Sequence, residues 1–338
     1  MFDRRVIAAM IFAAALPLTA HAQTTVLFNS FIPPTHPINT RVLKGWVADL
    51  EKATEGRVKF EVPQASLAAP QQQLDGVQKG VFDMGYMFHG LMENKVKLSP
   101  VAHLPGVNSN SKGSSIALWR TYEKYFKAAD EYNGVHLLGL FVFYPGTLFG
   151  IKTPVNSVAD IKGTKIYGLP GVPANVLEAA GGGVVAAPAV RSFEIISGGT
   201  VDAFAGYAPA DAFAFKTLQY AKHITDLPGG LTAPSFALFI NKKKWASLSP
   251  ADRDAITTLS GESLAERFSA MDAVDNKVRA DATAQGVSIK PASEAFAAEV
   301  NKLAEPLVQA WLKNAASAGV DGAAALAFYR QQAEQAAK

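Results

Sequence analysis

The chain has 338 residues, 49% of them hydrophobic and 18% charged, which excludes a disordered or fibrous polymer and supplies core material for two domains of ordinary size. A net charge of +3 is too even for a dedicated nucleic-acid binder. The absence of cysteine excludes a disulfide framework, a thiolate nucleophile and a Cys-ligated zinc site.

Residues 1–22 read as an export signal. Arg4 and Arg5 form a basic start, Val6 to Thr19 an apolar run, and Ala20-His21-Ala22 a small-x-small cleavage site. The apolar run is shorter than the roughly 20 residues of a membrane-spanning helix, and without cysteine no lipid anchor is possible. The expected product is an exported protein beginning at Gln23.

Thr25–Ser30 follows as a short apolar strand. Arg41–Thr54 carries Val42, Leu43, Trp46, Val47 and Leu50 at spacings of three and four, one apolar helical face. Gly56 stands where a helix-ending glycine belongs. Arg57–Val62 alternates as a strand. Pro70 opens a helix that Gly80 closes, and Phe82–Phe88 is strand-like. Val135–Phe143 is a continuous apolar run of strand length, a buried central strand.

Near residue 145 the pattern restarts. Phe149–Thr153, Thr164–Leu169, Val184–Ala187, Val201–Tyr207 and Ser235–Asn241 read as strands, and Pro173–Ala180 and Ser192–Ser197 as helices. Lys242-Lys243-Lys244 is a solvated helix entry. Ser249-Pro250-Ala251-Asp252 combines an N-cap, an N1 proline and an N3 acid, and opens a helical stretch running to about Ala284. Two more helices near 293–317 and 321–337 end the chain. Repeated strand–helix–strand units predict two α/β domains with parallel sheets. The boundaries expected are 23–144 plus about 235–275 for the first domain, and 145–234 plus about 276–338 for the second. The cleft between them is the expected ligand site.

Chemistry for catalysis is sparse. There is no G-x-S-x-G elbow, no H-E-x-x-H, no Walker loop and no EF-hand loop. His36, His89, His103, His136 and His223 show no metal-ligand spacing. No catalytic residue, metal site or cofactor is expected.

Six stretches together resemble one family, the solute-binding proteins of tripartite ATP-independent periplasmic (TRAP) transporters. They are Lys52-Ala53-Thr54-Glu55-Gly56-Arg57-Val58; Gly80-Val81-Phe82-Asp83-Met84-Gly85; Leu104-Pro105-Gly106; Asp160-Ile161-Lys162-Gly163-Thr164-Lys165-Ile166; Gly199-Thr200-Val201-Asp202-Ala203; and Asn241-Lys242-Lys243-Lys244-Trp245 with Leu248-Ser249-Pro250. The resemblance implies a two-domain periplasmic binding protein fold with a long bracing helix. It also implies capture of a small organic ligand by domain closure and delivery to integral-membrane TRAP permease subunits. A monomer is the default.

One departure bears on the ligand. Most members carry an Arg directly after the Lys-Ile of the fourth stretch, and it clamps a substrate carboxylate through two parallel hydrogen bonds. Tyr167 stands there in this chain. Two readings stay open: a neutral, aromatic or hydroxyl-anchored ligand, or an anion held by another donor such as Arg191, Lys152 or His89. Ligands of such sheets bind outside the carboxyl ends of strands. That rule selects Phe31, His36, Tyr86, Phe88, His89, Tyr144, Tyr167, Phe204 and Tyr207 as ligand-binding candidates alongside Arg191. Two competing functions are a secreted hydrolase with an unrecognised acid/base pair, and a binding protein for an ATP-driven importer or a sensor.

Overall fold

The computed structural model describes residues 23–338. The predicted export signal lies outside the described residues. Eleven strands are described: β1 Thr24–Asn29, β2 Val58–Glu61, β3 Met84–Phe88, β4 Val135–Val142, β5 Leu148–Gly150, β6 Lys165–Gly168, β7 Gly183–Ala186, β8 Ala203–Ala205, β9 His223–Asp226, β10 Ser235–Asn241 and β11 Ser288–Pro291. They form two sheets, ordered β2-β1-β3-β10-β4 and β11-β9-β5-β8-β6-β7.

Neither sheet is purely parallel, contrary to the expectation from the strand–helix alternation. β10 runs antiparallel between β3 and β4, and β5 antiparallel between β8 and β9. The cause is the crossing between lobes. A strand that enters its sheet directly from the other lobe has no crossover helix to reverse it. The two crossing segments pair with each other: Gly146 N–H donates to the Thr232 carbonyl at 2.7 Å, and Phe143 N–H to that of Pro234 at 2.8 Å.

Period-two patterning turns one face of the first sheet toward the second lobe. Tyr86 and Phe88 on β3, and Phe236 and Leu238 on β10, join one continuous core that also holds Phe149, Tyr167 and Phe204 of the second lobe. Met87, Ala237 and Phe239 point the other way, into a separate core.

The helices are α1 Lys44–Ala53, α2 Gln73–Lys79, α3 Ser111–Thr121, α4 Val158–Ile161, α5 Val172–Ala179, α6 Ser192–Ser197, α7 Pro209–Ala214, α8 Lys242–Ser247, α9 Pro250–Thr258, α10 Glu262–Glu266, α11 Ser269–Ala284, α12 Glu294–Ser317 and α13 Gly322–Ala336. The single helical stretch expected over 249–284 is divided into α9, α10 and α11. Gly261 makes the first break at φ +58°, with the Trp119 ring against its Cα. Two helices span both lobes. α11 packs on α3 and residues 38–43 of the first lobe, and on α7 and β11 of the second. α12 sends Phe296, Val300 and Ala304 into the second-lobe core and Trp311 and Ala315 into the first.

The last helix departs from the expected boundaries. α13 packs along α3 in the first lobe, with Ser109 Oγ donating to the Ala333 carbonyl at 2.6 Å. Small residues permit this approach: a Cβ on Gly113 would lie 2.4 Å from that carbonyl oxygen.

Candidate functional site

The carboxyl ends of β1, β3 and β4 in one lobe, and of β6 and β8 in the other, face each other across a slot. Phe31, Ile32, Phe88, Leu91, Phe143, Pro234 and Phe236 line it from the first lobe. Leu169, Pro188, Ala189, Val190, Tyr207, Asp211 and Phe215 line it from the second. Its opposed walls stand close together, and a group held between them would meet apolar side chains on both sides. A wider, open groove lies outside, between α11 and Phe213, and none of its lining residues is on a strand.

The walls are rings and aliphatic side chains. Phe143 and Phe236 lie 4.5 Å apart between ring centres, Phe236 and Phe88 5.6 Å. Behind them a buried network fixes the floor. His89 pairs through Nδ1 with Ser235 Oγ and through Nε2 with Tyr132 Oη, both at 2.8 Å. His103 Nε2 lies 2.9 Å from the same Ser235 Oγ and accepts the Ser235 N–H. Burial holds both imidazoles neutral, lowering the pKa of His103 to about 3 and that of His89 well below its usual value.

One polar pair stands at the slot. His36, in the loop after β1, stacks on Phe143 and lies 5.1 Å from Phe215. Its Nε2 faces Asp211 Oδ1 of the opposite lobe at 3.2 Å. Asp211 is the third residue of α7, where Pro209 at N1 opens the helix and Asp211 Oδ2 accepts the Ala208 N–H.

Of the sequence-selected residues, Phe31, Phe88 and Tyr207 line the slot, and His36 stands beside it. The others lie elsewhere. Tyr86 is fully buried, its hydroxyl 2.7 Å from Ser30 Oγ. Phe204 stacks on Phe149 at 4.4 Å, His89 belongs to the floor network, and Tyr167 donates its hydroxyl to the Ala187 carbonyl. Tyr144 sits at the lobe crossing under the Arg279 guanidinium, which binds Asp226 and Asp275. Arg191 is an exposed side chain paired with Glu194, because the turn at 189–191 directs Ala189 and Val190 inward instead. Lys152 is exposed as well. No Arg or Lys is among the slot-lining residues. The sequence reading passed over Phe143 and Phe236, which read simply as strand core. It also passed over Asp211, whose signal was the Ala208-Pro209-Ala210-Asp211 helix entry.

Comparison with known proteins fits this geometry. Residues 28–314 match the family model described as bacterial extracellular solute-binding protein, family 7, DctP. The chain belongs to this family. It is 51% identical, over 98% of both chains, to a Comamonas testosteroni protein named outer membrane transporter protein TsaT. It also resembles the crystal structure of a Bordetella bronchiseptica TRAP periplasmic solute-binding protein with bound (R)- and (S)-mandelate. The two share 34% identity over 92% of this chain and 99% of that one, with a TM-score of 0.88. A marine-metagenome TRAP solute-binding protein specific for aromatic acid ligands, in complex with 3-hydroxybenzoate, is 26% identical. It covers 94% of this chain and 99% of its own, with a TM-score of 0.84. This family-7 solute-binding protein thus shares its two-lobed architecture with solute-binding proteins that hold aromatic acids. Among its described residues no helix is long and apolar enough to cross a membrane.

Proposed function

We propose that this family-7 protein captures a single-ring aromatic acid between its lobes in the periplasm and presents it to the membrane permease of a TRAP transporter. The observation that carries this reading is the apolar slot with ring walls from both lobes. A flat apolar ring gains most of its affinity from such burial, and contact with both lobes favours the closed state over the open one. The mandelate and 3-hydroxybenzoate complexes of the relatives support the same ligand class. Since neither Arg nor Lys reaches the slot, the acid group would be held by neutral donors, not by a guanidinium clamp. The protein acts by binding, without turnover, after removal of residues 1–22 behind Ala22.

A thermal-shift series on residues 23–338 tests this. A ligand at 100 times its Kd adds about 2.7 kcal/mol of stability. Benzoates and mandelates should raise Tm by several degrees. Stabilisation by aliphatic dicarboxylates or sugars, with none by aromatic acids, would overturn the ligand class.

A further inference from the structure

The slot is apolar except at one end, and the polar pair there is incompletely satisfied. His36 and Asp211 are 1% and 2% exposed. Although His36 Nε2 and Asp211 Oδ1 lie 3.2 Å apart, neither atom makes an aligned hydrogen bond with the other or with any other group. Leaving a buried carboxylate oxygen and a buried ring nitrogen without aligned partners is costly.

A second helix entry in the same chain shows that the motif need not be left so. Ser249-Pro250-Ala251-Asp252 repeats the pattern of Ala208-Pro209-Ala210-Asp211. There the Ser249 hydroxyl donates to Asp252 Oδ2, and Arg57 Nε donates to Oδ1 at 2.9 Å, so both oxygens are engaged. At α7 the cap is an alanine and no arginine arrives. Asp211 Oδ2 is engaged by the Ala208 N–H, while Oδ1 faces only His36 Nε2.

The roles of the two free atoms follow from their partners. His36 Nδ1 accepts the Ile38 N–H at 3.2 Å, so the proton of the ring sits on Nε2. The pair therefore sets one donor, from the first lobe, beside one acceptor, from the second, and Asp211 borders the slot. A hydroxyl answers both, since it accepts one hydrogen bond and donates another.

We propose that His36 and Asp211 select a ring hydroxyl on the bound aromatic acid, His36 Nε2–H donating to the hydroxyl oxygen and the hydroxyl donating to Asp211 Oδ1. This rests on the aromatic-acid reading above. Each leg would be about 2.8 Å, so the hydroxyl parts the two atoms from 3.2 Å and replaces a poor direct contact with two aligned bonds. Because one bond reaches each lobe, the hydroxyl also ties the lobes together. An acid lacking the hydroxyl leaves the pair as it is. A methyl ether offers an oxygen to His36 but no proton to Asp211. Sites built to bond a hydroxyl reject analogues without it far more strongly than apolar pockets reject a missing methylene.

The test is calorimetric titration of residues 23–338 with benzoate, 3- and 4-hydroxybenzoate, and 3- and 4-methoxybenzoate. At least one hydroxybenzoate should bind about a hundredfold more tightly than benzoate and than its own methyl ether. Asp211→Asn probes the acceptor. The Ala208 N–H draws the amide oxygen to itself and leaves the NH₂ facing the slot, so the preference for hydroxyl over methoxy should collapse to a few-fold. The wild-type series stands even if that variant fails to fold. Equal binding of benzoate and both hydroxybenzoates would overturn the hydroxyl selection while leaving the aromatic-acid reading intact. Failure of every aromatic acid to bind would overturn both.

Discussion

Tyr167 donates its hydroxyl to the carbonyl oxygen of Ala187 at 2.8 Å, and its ring is fully buried inside the second lobe. The residue occupies the position where the family resemblance leads one to expect a carboxylate-clamping arginine. Its one donor is spent on its own lobe, joining the end of β6 to the turn that carries Pro188, Ala189 and Val190 into the slot.

Tyr167→Phe should therefore act on stability more than on binding. Removing one buried hydrogen bond and leaving the carbonyl unpaired costs about 1–2 kcal/mol, to be read as a lower urea midpoint with an unchanged slope. Affinity for an aromatic acid should change less than about threefold. A tenfold loss of affinity at unchanged stability would show the hydroxyl in contact with ligand.

Arg191→Ala should be nearly silent. The Arg191–Glu194 ion pair is exposed on both sides, and pairs of that kind contribute about 0–1 kcal/mol. Ligand titration of the variant should superimpose on wild type, and a lost binding isotherm would place the guanidinium at the slot after all.

Gly146→Ala tests the lobe crossing. A Cβ at Gly146 would lie 2.5–2.8 Å from the backbone of Gly206 and Tyr207, atoms that cannot rotate away as a side chain can. We expect a loss of about 1–3 kcal/mol together with weaker ligand binding, since Tyr207 lines the slot. Unchanged denaturation and affinity would mean that the crossing adjusts freely.

The buried histidines set a pH dependence. His103, with its pKa lowered to about 3, and His89, also lowered, stay neutral in the folded chain, while the unfolded chain takes up protons near pH 6.5. The unfolded state thus binds more protons below pH 6.5, so stability falls as pH drops from about 6.5 toward 3. For His103 alone the loss at pH 4.5 is about 2–3 kcal/mol. Replacing it by Gln, whose amide oxygen can still accept the Ser235 N–H, should flatten the decline of Tm between pH 6.5 and 4.5. A variant with the wild-type slope would refute the assignment.

How far the sequence carried depended on whether tertiary contacts leave a local trace. β2 alternates because one face of it is buried, β10 reads as an apolar run because both of its faces are, and the Ser249-Pro250 entry marks α9 through its cap. α3 left no such trace. Its Ser111, Gly113, Ser114 and Ser115 are buried, Ser115 against β4 and Gly113 against α13, so small polar residues stand where an apolar stripe would be sought. That contact also explains why the end of the chain was expected with the second lobe. At the site, proximity to strand ends selected Tyr86, Tyr167 and Phe204 together with Phe31, Phe88 and Tyr207. Tyr86 and Phe88 share one face of β3, and only Phe88, at the strand's carboxyl end, reaches the slot, a difference in depth that residue type does not resolve. Asp211 was hidden because an acid at N3 already has a sufficient role in its own helix.

Capture of a flat ring between the lobes is tested most directly by titration calorimetry of residues 23–338 with benzoate and with cyclohexanecarboxylate, which share their carboxylate and differ in ring thickness. The aromatic compound should bind at least tenfold more tightly. Equal binding, or a preference for the saturated ring, would contradict that capture.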